Sequence, residues 1–183
     1  MLLQIVLIVL AVLAVILVLL LIVVALQPSQ FRIERKATIV APPAVVFGQV
    51  NSFRKWNDWS PWAKLDPTAK NSYDGPEAGV GAKFAWEGNN KVGQGKMTIL
   101  ESRPSDLIRI KLEFIKPFAA TNTAEFTFQP QGSETLVTWA MTGQNNFMGK
   151  AFGLIMNMDK MVGGDFEKGL ASMKSLAEAQ VAS

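Results

Sequence analysis

The sequence contains no cysteine and no histidine, and these two absences exclude more functions than any residue present supports. Without cysteine the chain cannot form a disulfide, a thiolate nucleophile, an iron–sulfur cluster or a cysteine-based zinc site. Without histidine it has neither the commonest general base nor the commonest metal ligand. We therefore expect no metal and no cofactor, and the composition favours a binding or structural protein over an enzyme.

A strong excess of one charge is also missing. The 18 Lys and Arg residues nearly balance the 15 Asp and Glu residues, which leaves a net charge of +3. This excess is too small to indicate a nucleic acid partner, and none is expected.

The longest feature present is an uncharged apolar run at residues 2–26, interrupted only by Gln4. About 20 apolar residues in a helix cross a bilayer core, so the run predicts a single-pass transmembrane anchor at residues 1–27. A cleaved signal peptide is the alternative, with Val23 and Ala25 near its cleavage site. That reading is weakened because no basic residue precedes the run and the run is longer than a signal core.

Basic residues follow the run, where Arg32, Arg35 and Lys36 stand against Glu34. The positive-inside rule then predicts a membrane location with the remaining domain on the cytoplasmic side and the lipid bilayer as a partner. The same basic residues also fit the first strand of a folded domain.

Residues 28–30, with Pro28, predict a juxtamembrane break, and residues 31–183 suffice for one domain. Residues 31–40 alternate as a half-buried strand, with Arg35 anomalously on the apolar side. Pro42 and Pro43 begin a helix that is predicted to reach residue 53. The spacing of Trp56, Trp59 and Trp62 then indicates a helical turn.

The rest of the chain predicts a sheet followed by a helix. Strands are expected at residues 71–73, 83–87, 92–102, 107–114, 120–129 and 135–142. Apolar residues spaced by three and four from residue 147 to 181 predict one long amphipathic helix. The predicted fold class is therefore α+β, with a curved antiparallel sheet covered by a long C-terminal helix.

Six short stretches carry a resemblance to a known family: IVAPPAVVF at 39–47, WNDWSPW at 56–62, GVGA at 79–82, WEG at 86–88, TW at 138–139 and DFEKGL at 165–170. With them the chain resembles the START-related, Bet v 1-like (SRPBCC) superfamily, and most closely its membrane-anchored bacterial polyketide cyclase/dehydrase-like members. The resemblance implies the helix-grip fold and a domain that holds a hydrophobic small molecule or lipid between sheet and long helix. It implies no single chemistry.

The side chains expected to line such a cavity are large, apolar and on the inward side of the predicted elements. They are Phe84, Trp86, Met97, Ile99, Ile110, Leu112, Phe126, Phe128, Trp139, Met141, Ile155, Met158 and Val162. Trp59, Trp62 and Arg35 are expected at the cavity mouth. Ordinary core packing is the alternative for each lining residue. Arg35 either pairs with an anionic headgroup or a carboxylate such as Glu101, or lies in solvent after a register shift.

The sequence thus predicts a membrane-anchored, non-enzymatic binding domain for a hydrophobic small molecule or lipid. Two alternatives remain open. The domain could be an adaptor or accessory subunit of a larger membrane protein complex, or it could be a cyclase- or hydrolase-type enzyme that uses Arg35 and Glu101.

Overall fold

The computed structural model describes residues 1–182, which form two compact units. The first contains Met1–Phe31 and Gln144–Met158, and the second contains Arg32–Gly143 and the residues from Asp159 on. In chain order the elements are α1 (Leu2–Leu26), β1 (Gln30–Ile39), α2 (Pro43–Val50), a 3-10 turn (Phe53–Lys55), α3 (Trp56–Trp59), β2 (Lys70–Asp74), β3 (Lys83–Glu87), β4 (Gln94–Arg103), β5 (Leu107–Lys116), β6 (Ala120–Gln131), β7 (Glu134–Gln144), α4 (Phe147–Ile155) and α5 (Met158–Ala182).

The first unit consists of the apolar helix α1 and the short helix α4, which contact each other. The 25 residues of α1 have a mean hydropathy of 3.8, so the helix is long and apolar enough to cross a membrane. A signal sequence near the N-terminus meets the same criteria of length and composition. The predicted helix is confirmed, and its role as a retained anchor stays a proposal.

The second unit is built on one seven-stranded antiparallel sheet with the order β1-β7-β6-β5-β4-β3-β2. The strands from β2 to β7 are joined as consecutive hairpins, and β1 closes the order beside β7. Alternate residues of β5, such as Ile108 and Ile110, are buried on the inner face that the helices cover. Arg109 and Lys111 lie between them and form ion pairs on the outer face. The predicted α+β helix-grip fold is confirmed.

Two indole hydrogen bonds hold the segment after α2 against that helix. Trp56 Nε1 donates to the backbone carbonyl oxygen of Val50 at 2.9 Å, and Trp59 Nε1 donates to the backbone carbonyl oxygen of Gln49 at 3.0 Å. Buried indole N–H groups need such acceptors, so these bonds fix where both rings point. The predicted helix to residue 53 therefore ends earlier, at Val50, and the tryptophan-rich turn follows as α3.

The predicted single helix over residues 147–181 is wrong, because the chain forms two helices there. Met156, which ends α4, has extended backbone angles (φ −117°, ψ 126°), and α5 begins at Met158. The apolar spacing continues through the break at Ile155, Met158 and Val162, so periodicity alone could not reveal it. Asn157 directly before α5 is the available sequence signal, because asparagine is a preferred residue at helix starts.

Candidate ligand-binding site

One part of the inner face is closed by stacked aromatic rings. The Trp139 ring on β7 lies 4.0 Å from the Phe166 ring of α5, centroid to centroid, with an angle of 8° between the planes. The Phe126 ring also stacks on Trp139, at 4.9 Å, and Trp59 meets Trp139 edge-on at 5.5 Å. All four side chains are buried. We call this set, Trp59, Phe126, Trp139 and Phe166, the ring cluster.

A second part of the same face is left partly open. Phe84, Trp86, Leu112 and Phe114 are large apolar residues, yet each is only half-buried. The strand register places them in two neighbouring rows, because Met97 pairs with both Phe84 and Leu112, and Gly95 pairs with both Trp86 and Phe114. We call these four residues the open wall.

Gly95 determines how the central ring of the open wall lies. A Cβ atom at Gly95 would overlap the Trp86 indole, so only glycine lets that ring lie flat across β4. Trp86 Nε1 donates to the Val92 oxygen at 2.9 Å, and the ring stacks on Phe84 at 5.9 Å and 21°. Phe114 meets it edge-on at 6.2 Å. The indole is therefore held in one orientation with a face left for a guest.

One cleft adjoins the open wall, and a second lies behind it on the outer face of the sheet. The first, of about 310 Å³, is bordered by Phe53, Tyr73 and Ala82 and also by charged residues such as Arg54 and Lys83; the rings of Phe53 and Tyr73 both contact Phe84. The second, of about 270 Å³, is bordered mainly by residues that alternate with Trp86 and Gly95 along the strands, among them Ser72, Ala85 and Lys96. Small-molecule sites begin at about 300 Å³, so each cleft is near the lower limit for a ligand.

A carboxylate holds the β3–β4 turn next to the open wall. Asp66 is only 6% exposed and accepts hydrogen bonds from Thr68 Oγ1 at 2.7 Å and from the Asn89 N–H at 2.6 Å. The Thr68 hydroxyl first, and then the backbone N–H groups of Asn89 and Thr68, lower the pKa of Asp66 below its ordinary value. The ionised carboxylate thus ties the loop before β2 to the turn that carries Val92.

Arg35 pairs with carboxylates, as one sequence expectation had it, but the partners lie on α5 and do not include Glu101; the alternative of a position in solvent is wrong. Its Nε donates to Glu167 Oε1 at 2.7 Å, and its Nη2 donates to Asp159 Oδ2 at 3.0 Å, both on α5. Asp159 first and Glu167 second raise the pKa of Arg35, while Arg35 lowers the pKa of Asp159. A Cβ atom at Gly163 would overlap the guanidinium, so this glycine makes room for the cation.

Glu101 is on the opposite face because of a β-bulge. The register of β4 against β5 shifts between Ile99 and Glu101, which turns Glu101 toward Arg109 on the outer face. An extra residue in one strand redirects the side chains that follow it. The structure therefore does not bring Arg35 and Glu101 together, and the proposed catalytic pair is removed.

The structure places the ten predicted strand residues on one face of one sheet, divided between the two parts described above. Phe84, Trp86 and Leu112 belong to the open wall, whereas Met97, Ile99, Ile110, Phe126, Phe128, Trp139 and Met141 are buried. Trp59 is 1% exposed and so is interior, not at a mouth, and half-buried Trp62 contacts Trp139 and Phe166.

The helical members of the predicted lining fall elsewhere. Ile155 is 85% exposed in the first unit, and Met158 is 43% exposed at the start of α5. Val162 is half-buried in α5. Sequence reasoning omitted Phe114 and Gly95 from the site, although the period-two pattern of β5 already placed Phe114 with Leu112. Within residues 1–182, no group of three or more carboxylates is placed to hold a metal ion.

Comparison with known proteins identifies the fold. A family model described as "Polyketide cyclase / dehydrase and lipid transport" matches residues 30–178. A protein of unknown function from Staphylococcus aureus is similar in structure, with a TM-score of 0.62 and 11% identity over 84% of this chain and 97% of that one. A protein from Chromobacterium violaceum has a TM-score of 0.58 and 16% identity over 83% and 99%.

A third similar structure is the di-domain ARO/CYC StfQ of the steffimycin biosynthetic pathway. Its TM-score is 0.60 with 10% identity, and the match covers 85% of this chain but 53% of that two-domain protein. At these identities the likeness extends to the fold alone. No protein of curated function matches the sequence.

Proposed function

Because the chain belongs to the polyketide cyclase/dehydrase and lipid transport family, we propose that it is a membrane-anchored, non-enzymatic binding protein for a hydrophobic small molecule or lipid. The observation that carries the proposal is the open wall. Four large apolar side chains share the inner face of the sheet and remain only half-buried there.

A ligand that covers the open wall would be stabilised by the apolar surface it removes from water. Each square ångström of apolar surface contributes about 25 cal/mol, so aromatic side chains supply the largest share. The flat, fixed Trp86 indole offers a stacking face for a planar headgroup, and Leu112 offers aliphatic contact. The site therefore suits an isoprenoid quinone or an acyl chain better than a polar metabolite.

We assign no chemistry to the site because no ionisable side chain belongs to the open wall. The charged groups near α5 are Arg35, Asp159 and Glu167, which form ion pairs with one another and together carry a net charge of −1. Binding and release of an apolar ligand therefore account for the arrangement without a reaction step.

The proposed anchor is α1, which would hold the domain where an apolar ligand is concentrated. The basic residues after α1, Arg32, Arg35 and Lys36, favour a cytoplasmic domain by the positive-inside rule. The lipid bilayer is then both the site of attachment and the source of the ligand.

The test is native mass spectrometry of the full chain in detergent after incubation with decylubiquinone or with phosphatidylglycerol. We expect one bound probe molecule to survive on the native chain. A Leu112→Gln variant should lose at least about tenfold in bound probe, since it places an amide in the open wall. Leu100→Gln is the matched control, because Leu100 is 52% exposed and is the unpaired residue at the bulge of the neighbouring strand.

Lipids that adhere to α1 would appear equally on the native chain and on both variants. The difference in bound probe between these proteins therefore measures binding at the open wall. Equal probe binding by the native chain and both variants would contradict a site on the open wall. No adduct with either probe would contradict the binding function.

A second candidate is the adaptor role, which is favoured by the ring cluster. Trp139 and Phe166 are in contact where the family places its ligand, so the space beneath α5 is filled with side chains. Affinity purification from detergent extracts distinguishes the two functions. A stoichiometric membrane protein partner with no probe binding would support the adaptor.

A further inference from the structure

Helix α4 presents an apolar surface that the fold leaves exposed. Among the described residues, none of the nine in α4 is buried. Met148 is 58% exposed and Ile155 is 85% exposed, with Phe147 and Leu154 at 48% and 43%. Exposed apolar residues clustered in this way commonly mark a contact surface.

The exposed residues follow a helical pattern. At 100° per residue the apolar positions 147, 148, 151, 152, 154 and 155 fall within an arc of about 160°, and the remaining arc holds Gly149, Gly153 and Lys150. A Cβ atom at Gly153 would meet nothing within 4 Å. The helix is thus amphipathic, and the side opposite its apolar residues carries two glycines and one cation.

Two hydrogen bonds fix α4 to the end of α1. The Asn145 N–H donates to the Ser29 oxygen at 2.7 Å, beyond the end of α1, and Lys150 Nζ donates to the Ala25 oxygen at 3.1 Å, inside its last turn. The chain from Asn145 to Lys150 therefore runs antiparallel to the chain from Ala25 to Ser29. Helix α4 runs back beside the C-terminal end of the apolar helix.

The depth of the C-terminal end of α1 in a bilayer follows from the length of this helix. The 25 residues of α1 span about 37 Å at 1.5 Å per residue, against a hydrocarbon core of about 30 Å. Ala25 would lie near the headgroups, where a lysine that binds the open carbonyl groups of a helix end is favourable. Ile155, farther along α4, would then lie deeper than Lys150.

We propose that α4 is an interfacial membrane helix whose apolar side inserts into the same bilayer that α1 spans. The exposed side of α4 then contacts the boundary between lipid headgroups and acyl chains. Helices with one apolar side and a cationic opposite side bind at this boundary. The inference rests on the anchor in the proposed function, and it adds a second membrane contact to it.

The absence of cysteine allows a direct test on the full chain in phosphatidylcholine/phosphatidylglycerol nanodiscs. Single variants Ile155→Cys, Met148→Cys and Ser133→Cys carry the fluorophore NBD, with exposed Ser133 in the β6–β7 turn as the aqueous control. Quenching by doxyl-labelled lipid should be at least about twofold greater at position 155 than at 133, with 148 between them. Quenching by aqueous cobalt should follow the reverse order.

Retention of the native chain in membranes after carbonate extraction is measured in parallel. If the chain is retained but cobalt quenches positions 155 and 133 equally, the interfacial helix is contradicted and the anchor stands. If neither quencher reaches position 155, a protein surface or second copy covers α4, and the lipid contact is contradicted. Release of the chain by carbonate would contradict both the anchor and the interfacial helix.

Discussion

The ring cluster and the open wall occupy the same face of the same sheet, yet they are stabilised differently. The ring cluster has helices on the other side, and apolar packing stabilises it, with the hydrogen bond from Trp59 to the Gln49 carbonyl as an addition. The open wall has half-buried side chains, and its shape depends on a glycine and on hydrogen bonds such as Trp86 Nε1 to Val92 and Asp66 to Asn89. The ring cluster therefore contributes to the stability of the domain, while the open wall leaves apolar surface available for a ligand.

The difference indicates where a ligand can bind without unfolding the domain. A guest beneath α5 would have to displace rings in contact at 4.0 Å. A guest on the open wall would cover surface that already faces solvent. The location of the ligand in this chain is therefore expected at β3–β5 and not at the centre of the helix–sheet interface.

The largest expected effect on the free energy of unfolding comes from replacing one tryptophan of each region by alanine. Trp139→Ala should lower the free energy of unfolding by about 3–5 kcal/mol, because it leaves a cavity in a closed core. Trp86→Ala should cost about 1–2 kcal/mol, because its ring is already partly hydrated. Urea unfolding of the full chain in detergent, followed by circular dichroism, gives both values. Equal losses would show that the two regions are not distinct.

A smaller effect is expected at the two adjacent glycines of α5. Gly164→Ala should stabilise the chain by about 0.5–1 kcal/mol, because its Cβ meets open space and alanine favours helices. Gly163→Ala should lower the unfolding midpoint, because its Cβ would displace the Arg35 guanidinium. Thermal unfolding measures both effects, and in an Arg35→Ala background the Gly163→Ala substitution should raise the unfolding midpoint. A gain at position 163 with Arg35 present would contradict the close approach.

The smallest effect is expected when acid protonates Asp66, and this effect should be confined to the region of the open wall. The folded-state pKa of Asp66 is lowered from 3.8, so its stabilisation is complete above that pH and is lost as the pH falls through the lower, folded value. Amide hydrogen exchange in β3 and β4 should accelerate in that range, while exchange in β7 stays slow. Asp66→Asn should remove most of this pH dependence. Uniform acceleration in both regions would contradict a local role for Asp66.

Strand positions could be predicted from the sequence because one face is solvated and the other is not. In β5, Ile108 and Ile110 alternate with Arg109 and Lys111, and the observed burial follows this pattern. The apolar run at residues 2–26 predicts the helix α1 equally directly. These features depend on residues close in sequence, which is why a period of two or an unbroken run is sufficient evidence.

Contacts between distant residues could not be predicted in the same way. The partners of Arg35 lie 124 and 132 positions away, and Glu101 was excluded by a bulge that leaves no mark in the sequence. One signal was available: Asp159, Gly163 and Glu167 are spaced by four, which places two carboxylates and a gap on one side of a helix. Division of the inner face into packed and open parts depends on which strands the helices cover, and periodicity does not report this.

The C-terminal half of α5 also protects an edge of the sheet. Lys174 Nζ donates to the Thr38 oxygen at 2.7 Å, and Glu178 Oε1 accepts from the Val40 N–H at 2.8 Å, at the end of outermost strand β1. Unpaired backbone groups on an outer strand are templates for joining another chain. A protein shortened before Lys174 would expose these groups, and we expect its domains to associate with one another through β1.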